Sequence, residues 1–143
     1  MCRNCWESLE PWQGPVCPRC GIPFATDVAL DSSAALCPQC RKEEFDFDAA
    51  RAYGVYAGKI RAAILRMKFQ GRERLGLKLG GLLAASWDWV AKNSEGELPV
   101  LVPVPLHSSR QRERGFNQAE LLAWGLGREL EKRPNHHPLQ FET

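Results

Sequence analysis

All six cysteines of the chain lie within its first 40 residues, and they form three CxxC pairs. The pairs are Cys2/Cys5, Cys17/Cys20 and Cys37/Cys40. Each CxxC turn lets two thiolates converge on one metal ion, and two such turns complete a tetrahedral site. A segment of about 40 residues rarely builds enough core to fold alone, and a bound metal supplies folding free energy. The sequence therefore predicts a zinc ribbon at the N-terminus.

The spacing between the pairs indicates which thiols share an ion. Sixteen residues separate the second pair from the third, which suits a ribbon hairpin better than the eleven between the first two. We predict one Zn²⁺ bound by Cys17, Cys20, Cys37 and Cys40. Gly21 is expected to adopt the positive φ that turns backbone N–H groups towards the sulfurs.

The remaining pair, Cys2 and Cys5, supplies only half of a metal site. A missing upstream pair or another chain would complete it, or the two thiols would compete for the first ion. A grouping in which the first two pairs form the site also stays open.

Composition divides the chain into three regions. Residues 1–44 carry every cysteine and are predicted to form the ribbon, with Trp6 and Trp12 covering its small core. Residues 45–133 combine strand and helix patterns and are predicted to form a second domain. Residues 134–143 show no periodicity, and we expect a disordered tail there.

Local patterns predict the first elements of the second region. Residues 51–56 have the β-branched and aromatic composition of a short strand. Apolar residues then recur at the spacing of one helix face, at Ile60, Ala63, Ile64 and Met67. A second helix, with leucines from Leu75 onwards, is predicted to continue towards Val90, and residues 93–97 form a polar loop.

The next elements follow from an apolar run and a capping pattern. Residues 98–106 predict a buried strand that stops near Val102, because Pro103 and Pro105 cannot donate to a sheet. Asn117–Glu120 resembles a capping box, so a helix is expected from there to about Arg133.

Charge and hydropathy limit the class of protein. No apolar run approaches the roughly 20 residues that span a bilayer, and no signal peptide is apparent, so we expect a cytoplasmic protein without a membrane span. The net charge is only +2, but residues 59–74 hold six cations against one acid, and three arginines surround Glu113. Such basic surfaces attract phosphates, and solvated helix faces are the alternative explanation.

The segment after the predicted strand carries a family resemblance. The string VPVPLHSSRQRERGFNQAELLA, at 102–123, resembles the central signature of the competence protein F (ComF) family. Other marks of the family occur in the same order: CPRCG at 17–21, CPQC at 37–40, FDAARAYGVY at 47–56 and ILRMKF at 64–69. The resemblance covers about residues 2–133.

The resemblance implies a fold, a role and a set of site residues. The fold is a small zinc ribbon followed by an α/β domain of the type I phosphoribosyltransferase class, and the role is linked to uptake of single-stranded DNA in natural transformation. Single-stranded DNA and proteins of the competence machinery are the partners implied. In this family, the corresponding segment contains the pyrophosphate loop and lies near the flexible hood. The resemblance therefore suggests contacts with phosphate or nucleic acid for seven residues, Leu106, His107, Arg110, Arg112, Arg114, Asn117 and Gln118.

Two marks of the family are absent from the sequence. One is a further CxxC pair before Cys2/Cys5, and the other is a pair of acidic residues followed by a Thr-Thr-Gly loop, which holds phosphoribosyl pyrophosphate. We therefore expect an incomplete domain that binds Zn²⁺ but not phosphoribosyl pyrophosphate, and the sequence leaves enzyme activity open. The alternative is a non-enzymatic zinc-ribbon module that binds single-stranded nucleic acid or a protein, and a third is an inactive remnant.

Overall fold

The computed structural model describes residues 2–24, 36–92, 99–134 and 139–142. Contacts divide the chain into two units, Pro11–Gly54 and a second unit of Met1–Glu10 with Val55–Thr143. The polar loop predicted at residues 93–97 lies outside the described residues. Among the described residues, no helix is both long and apolar enough to cross a lipid bilayer.

The regular elements of the described residues are mostly helices. In chain order they are α1 (Arg3–Glu7), α2 (Pro38–Lys42), α3 (Gly58–Phe69), α4 (Glu73–Leu82), α5 (Ala84–Lys92), β1 (Val100–Leu101), α6 (Ser108–Arg114), α7 (Gln118–Leu130) and β2 (Gln140–Phe141). A ribbon followed by a mostly helical region is the architecture that results.

The helix predicted from the Ile60–Met67 face is confirmed as α3, which buries Ala63 and Met67. The second predicted helix is wrong in one respect, because the chain bends at Leu83 and separates α4 from α5. The break follows Gly80 and Gly81, and glycine is a poor helix former, so the bend is placed where the helix is weakest.

The strand predicted at residues 51–56 is wrong. These residues form bends, and the carbonyl oxygen of Tyr53 accepts one hydrogen bond, 2.9 Å long, from the backbone N–H of Trp12. Strand composition alone is insufficient because a strand also needs a neighbouring strand to pair with along its length.

The strand predicted before Val102 is confirmed as β1, which pairs in parallel with β2. Its predicted burial is wrong, since Val100 is exposed and Leu101 is only half-buried. Val100 faces Gln140, and Leu101 faces Phe141. The prediction of a disordered tail therefore fails for these two residues of β2. Leu101 and Leu139 pack against a core of Ala84, Leu126 and Leu130, and this apolar contact explains why the end of the chain lies beside β1.

Between the two strands lie α6 and α7. No helix was predicted between Val102 and Asn117, but α6 forms there, a two-turn helix that ends at Gly115, where φ is 78°. Asn117 caps α7 as predicted, since its Oδ1 accepts from the Ala119 backbone N–H at 2.9 Å. Glu120 accepts from the Asn117 side-chain amide at 3.1 Å, whereas a capping box would place it on the backbone N–H.

The closest packing in the second unit is between α4 and α7. A Cβ atom on Gly80 would overlap the backbone carbonyl oxygen of Leu122, and one on Gly125 would overlap that of Leu77. The two helices therefore approach so closely at this point that only glycine fits on either side. Leu79 and Leu121 are buried beside the crossing.

Adding a methyl group at this crossing is expected to destabilise the chain. Gly80→Ala should lower the free energy of unfolding by about 1–3 kcal/mol, the usual cost of overpacking a core. Gly81→Ala is the matched control, because the nearest atom to its Cβ would be at an ordinary 3.7 Å, on Glu129. Urea unfolding measures both, and equal effects of the two substitutions would contradict the close crossing.

Candidate metal centre

The first half of the centre is a hairpin that contains Cys17 and Cys20. Val16 and Pro23 form an antiparallel bridge, and the Phe24 backbone N–H donates to the Pro15 carbonyl oxygen at 3.0 Å. Inside this hairpin, the Cys17 N–H donates to the Ile22 carbonyl at 2.9 Å. The tight turn brings the two thiols of the pair to the same side of the backbone.

Gly21 ends this turn with φ at 69°, as its place after the CxxC pair predicted. A Cβ at this position would also press against the carbonyl oxygen of Ala50. The Ala50 N–H donates to the Arg19 carbonyl at 2.6 Å, so the segment around Ala50 is held across the turn. Glycine is thus required both for the backbone conformation and for this contact.

The second half of the centre is the N-terminus of α2. Cys37 is its N-cap, and Pro38 occupies the first helical position, where its missing N–H costs nothing. The Cys40 backbone N–H donates to the Cys37 sulfur at 3.5 Å, and the Cys37 N–H donates to the Cys17 sulfur at 3.4 Å. These backbone donors favour negative charge on the sulfur atoms.

The two halves bring four sulfur atoms together. Those of Cys17, Cys20, Cys37 and Cys40 all lie within 4.8 Å of one another. The sulfurs of Cys20 and Cys37 are 3.7 Å apart. Thiolates bound to one zinc ion at about 2.3 Å in a tetrahedron lie about 3.8 Å apart, so the arrangement fits zinc.

Three of the four cysteines are buried, and Cys20 is half-buried. Cys17 is fully buried, and Cys37 and Cys40 are 5% and 4% exposed. Phe24, Leu36 and Phe45 pack against them, and the rings of Phe45 and Phe47 lie 5.2 Å apart. This small apolar cluster shields the sulfurs from water and is itself organised around them.

The electrostatics of the thiols are strongly asymmetric. Burial raises the pKa of the Cys17 thiol, but backbone N–H groups, led by that of Cys37, outweigh it and lower the pKa to about 6. Burial raises the pKa of Cys40 to about 12, and the neighbouring sulfurs add to the rise. One thiolate forms readily and the next is opposed, so a divalent cation is what would stabilise four ionised sulfurs in this place.

Cys2 and Cys5 lie in the other unit, at the start of α1. The backbone N–H and the thiol of Cys5 lower the pKa of the Cys2 thiol, while the hydrogen bond to Cys2 raises the pKa of Cys5. Across the described part of the chain, the four-cysteine cluster is the one group of three or more potential metal ligands, and it does not include this pair.

The predicted phosphate-binding residues fall into two groups. His107, Arg110 and Arg112 are exposed on α6 or at its start. The Nδ1 atom of His107 accepts from the Ser109 backbone N–H at 3.3 Å, so this side chain caps α6. Arg110 forms an ion pair with Glu113 at 2.7 Å, and both side chains are more than half exposed.

The other three predicted residues are engaged within the fold. Asn117 is 3% exposed, and its amide donates to the Val104 carbonyl at 3.2 Å. Arg114 donates to Gln118 at 2.7 Å and lies 5.5 Å from the centre of the Phe69 ring. A role in phosphate or nucleic-acid binding stays a prediction for these six residues and for the half-buried Leu106.

Comparison with known proteins places these features in a family. The double zinc ribbon domain matches residues 1–41. Competence protein ComFC of Bacillus subtilis is 30% identical over 97% of this chain, competence protein F of Haemophilus influenzae is 31% identical over 92%, and the DNA utilization protein YhgH of Escherichia coli is 31% identical over 80%. The resemblance to the competence protein F family is therefore confirmed.

The chain spans about half the length of these relatives: 54% of ComFC, 54% of competence protein F and 48% of YhgH. No solved structure matches the chain. The double zinc ribbon match agrees with the sulfur cluster at its second and third CxxC pairs, and it also includes Cys2 and Cys5.

Alkylation of the zinc-loaded protein tests which thiols hold the ion. We expect two of the six cysteines to react rapidly with iodoacetamide, Cys2 first because Cys5 lowers its pKa, and the other four to react only after zinc is removed. Mass spectrometry of peptides identifies the modified residues. Rapid reaction of Cys37 and Cys40, with Cys2 and Cys5 protected, would show instead that the first two pairs hold the metal.

Proposed function

We propose that the chain is a zinc-stabilised protein of DNA uptake that binds single-stranded DNA directly. The observation that carries the proposal is the similarity to proteins named for competence and DNA utilization, which extends over 80–97% of this chain.

The zinc is proposed to be structural. Four cysteine thiolates would fill a tetrahedral site, which leaves no open position for water or substrate. The burial of three of these cysteines supports the same role, since a catalytic metal needs access to solvent or substrate. The metal would therefore act on the stability of the ribbon and not on a chemical step.

Direct contact with DNA is supported by the exposed cations of the second unit. The cations exposed here include Arg66, Arg72, Arg74 and Lys78, within residues 59–78, which hold seven cations and one acid. Phosphate contacts of this kind provide affinity that does not depend on base sequence, as a protein that handles incoming DNA requires. The net charge of the chain is only +2, so attraction to DNA would come from this local cluster of cations and not from the total charge.

We also propose a phosphoribosyltransferase-like fold for the second region, and one structural feature supports it. β1 and β2 are parallel and are connected through α6 and α7, which is the βαβ arrangement from which parallel α/β sheets are built. The sequence contains no pair of acidic residues followed by Thr-Thr-Gly. We therefore propose that this chain by itself does not bind phosphoribosyl pyrophosphate.

Fluorescence anisotropy with a labelled single-stranded oligonucleotide tests the proposed function. If four cations contact phosphates, affinity should fall about 50-fold between 50 and 200 mM salt, because each contact on a single strand contributes about −0.7 to the slope of log K against log[salt]. Absence of binding at 50 mM salt, or an affinity that salt leaves unchanged, would refute the proposal.

A further inference from the structure

A large open cleft lies in the second unit. It has a volume of 1070 Å³ and is enclosed by α1, the end of α3 and the start of α4. Its lining includes five cations, Arg3, Arg66, Arg72, Arg74 and Lys78, together with Trp6. Two carboxylates, those of Glu7 and Glu73, also line it. The cleft is therefore positively charged and contains one large aromatic ring.

A tight turn between α3 and α4 forms part of the lining of the cleft. Gly71 has φ at 59°, which allows α3 to end at Phe69 and α4 to begin at Glu73. As a result, Arg66 from the last turn of α3 and Arg74 from the first turn of α4 both line the cleft. Cations that are eight residues apart in the sequence are brought to one surface in this way.

Most of these cations are available to a ligand. Arg3 forms an ion pair with Glu7 at 3.0 Å, with both side chains largely exposed. Within the described residues, Arg66, Arg72 and Arg74 form no ion pair. Three guanidinium groups thus line an open cleft without an ion pair to either of its carboxylates, and planar guanidinium groups bind phosphate oxygens in a bidentate manner.

The aromatic ring extends the cleft into a second groove. The Lys78 amino group lies 5.6 Å from the centre of the Trp6 ring, and both residues also line an adjoining groove of 360 Å³ between α4 and α7. Arg128 and Lys132 line this groove. In this groove Lys132 forms an ion pair with Glu129 at 2.6 Å. Cations therefore line both the cleft and the groove, with Trp6 and Lys78 common to the two, and together they cover more surface than a single phosphate group needs.

We propose that this cleft binds single-stranded DNA, with the backbone phosphates on Arg66, Arg72 and Arg74 and a base stacked on Trp6. The inference rests on the proposed function, and it locates the binding surface that the proposed function requires. Stacking platforms flanked by cations are how proteins bind single strands without reading their sequence. A base that stacks on Trp6 takes the place of the Lys78 ammonium, which then meets a phosphate.

The same features argue against other ligands. A duplex keeps its bases stacked inside, so it offers no face to a tryptophan within a cleft. An acidic peptide would use the cations but not the aromatic ring. A free phosphate would need only one or two of the arginines, whereas the cations here extend through the cleft and the adjoining groove.

Substitution of the three arginines tests the phosphate half of the proposal. The triple variant Arg66→Gln, Arg72→Gln and Arg74→Gln should lose more than about 10-fold in affinity at 50 mM salt, and its salt slope should be smaller by about 2, at about 0.7 for each lost contact. Arg61→Gln is the matched control, because this exposed arginine lies on α3 but does not line the cleft, and it should bind like the parent.

Substitution of the tryptophan tests the stacking half. Trp6→Ala should lose about 5-fold or more in affinity with an unchanged salt slope, and Trp6→Phe should recover part of the loss because it keeps an aromatic face. Trp124→Ala is the control, since this ring is 46% exposed on α7 and lines neither groove. Zinc content and the thermal unfolding midpoint, equal to those of the parent, exclude a loss through unfolding.

The outcomes separate the two proposals. No binding of the oligonucleotide by the parent chain would refute the proposed function and this site together. Binding by the parent that the arginine and Trp6 variants retain would refute the site alone, as would a loss confined to Arg110→Gln and Arg112→Gln on α6. An effect of the arginines without one of Trp6, or stronger binding of polyglutamate than of the oligonucleotide, would refute a single-stranded DNA site in favour of a free anion or an acidic protein.

Discussion

The fold of residues 11–54 depends on four sulfur atoms that meet at one point. This unit has one isolated bridge and one five-residue helix in its described part, so few backbone hydrogen bonds hold it together. Its buried residues are the cysteines themselves, with a few apolar side chains around them. Repulsion among ionised thiols opposes this arrangement, and a bound zinc ion would reverse the balance by a free energy on the order of 10 kcal/mol. Metal occupancy and folding of the ribbon would then be one equilibrium.

The second unit is stabilised by different means. α4 and α7 meet through glycines, which permits backbone contact along the crossing, and Leu126 and Leu130 extend the core towards β1. The beginning of α4 contributes Arg74 and Lys78 to the cleft, while its end supplies the contact at Gly80. One helix thus connects the stability of this unit with the surface on which we propose that DNA binds. A loss of packing at Gly80 would also disturb the cleft.

Local patterns predicted much of this structure, and long-range contacts account for what they missed. The spacing of the cysteines, the positive φ of Gly21 and the Asn117 cap depend on a few neighbouring residues, so the sequence alone indicated them. The strand expected at 51–56 had the right composition, but the part of the chain that the structure describes offers it no partner strand. The seven polar and charged residues of α6 have no apolar periodicity, although His107 and the Arg110–Glu113 pair support a helix. Trp6 and Lys78 are 72 residues apart, and only the fold places them together.

Zinc content combined with X-ray absorption at the zinc edge tests the central claim most directly. The account predicts zinc with four sulfur neighbours at about 2.3 Å in the parent chain. This site should persist in the double variant Cys2→Ser and Cys5→Ser, and it should be lost in Cys17→Ser and in Cys37→Ser. A parent chain without zinc, or zinc that disappears with Cys2 and Cys5 but survives the loss of Cys37, would contradict the account.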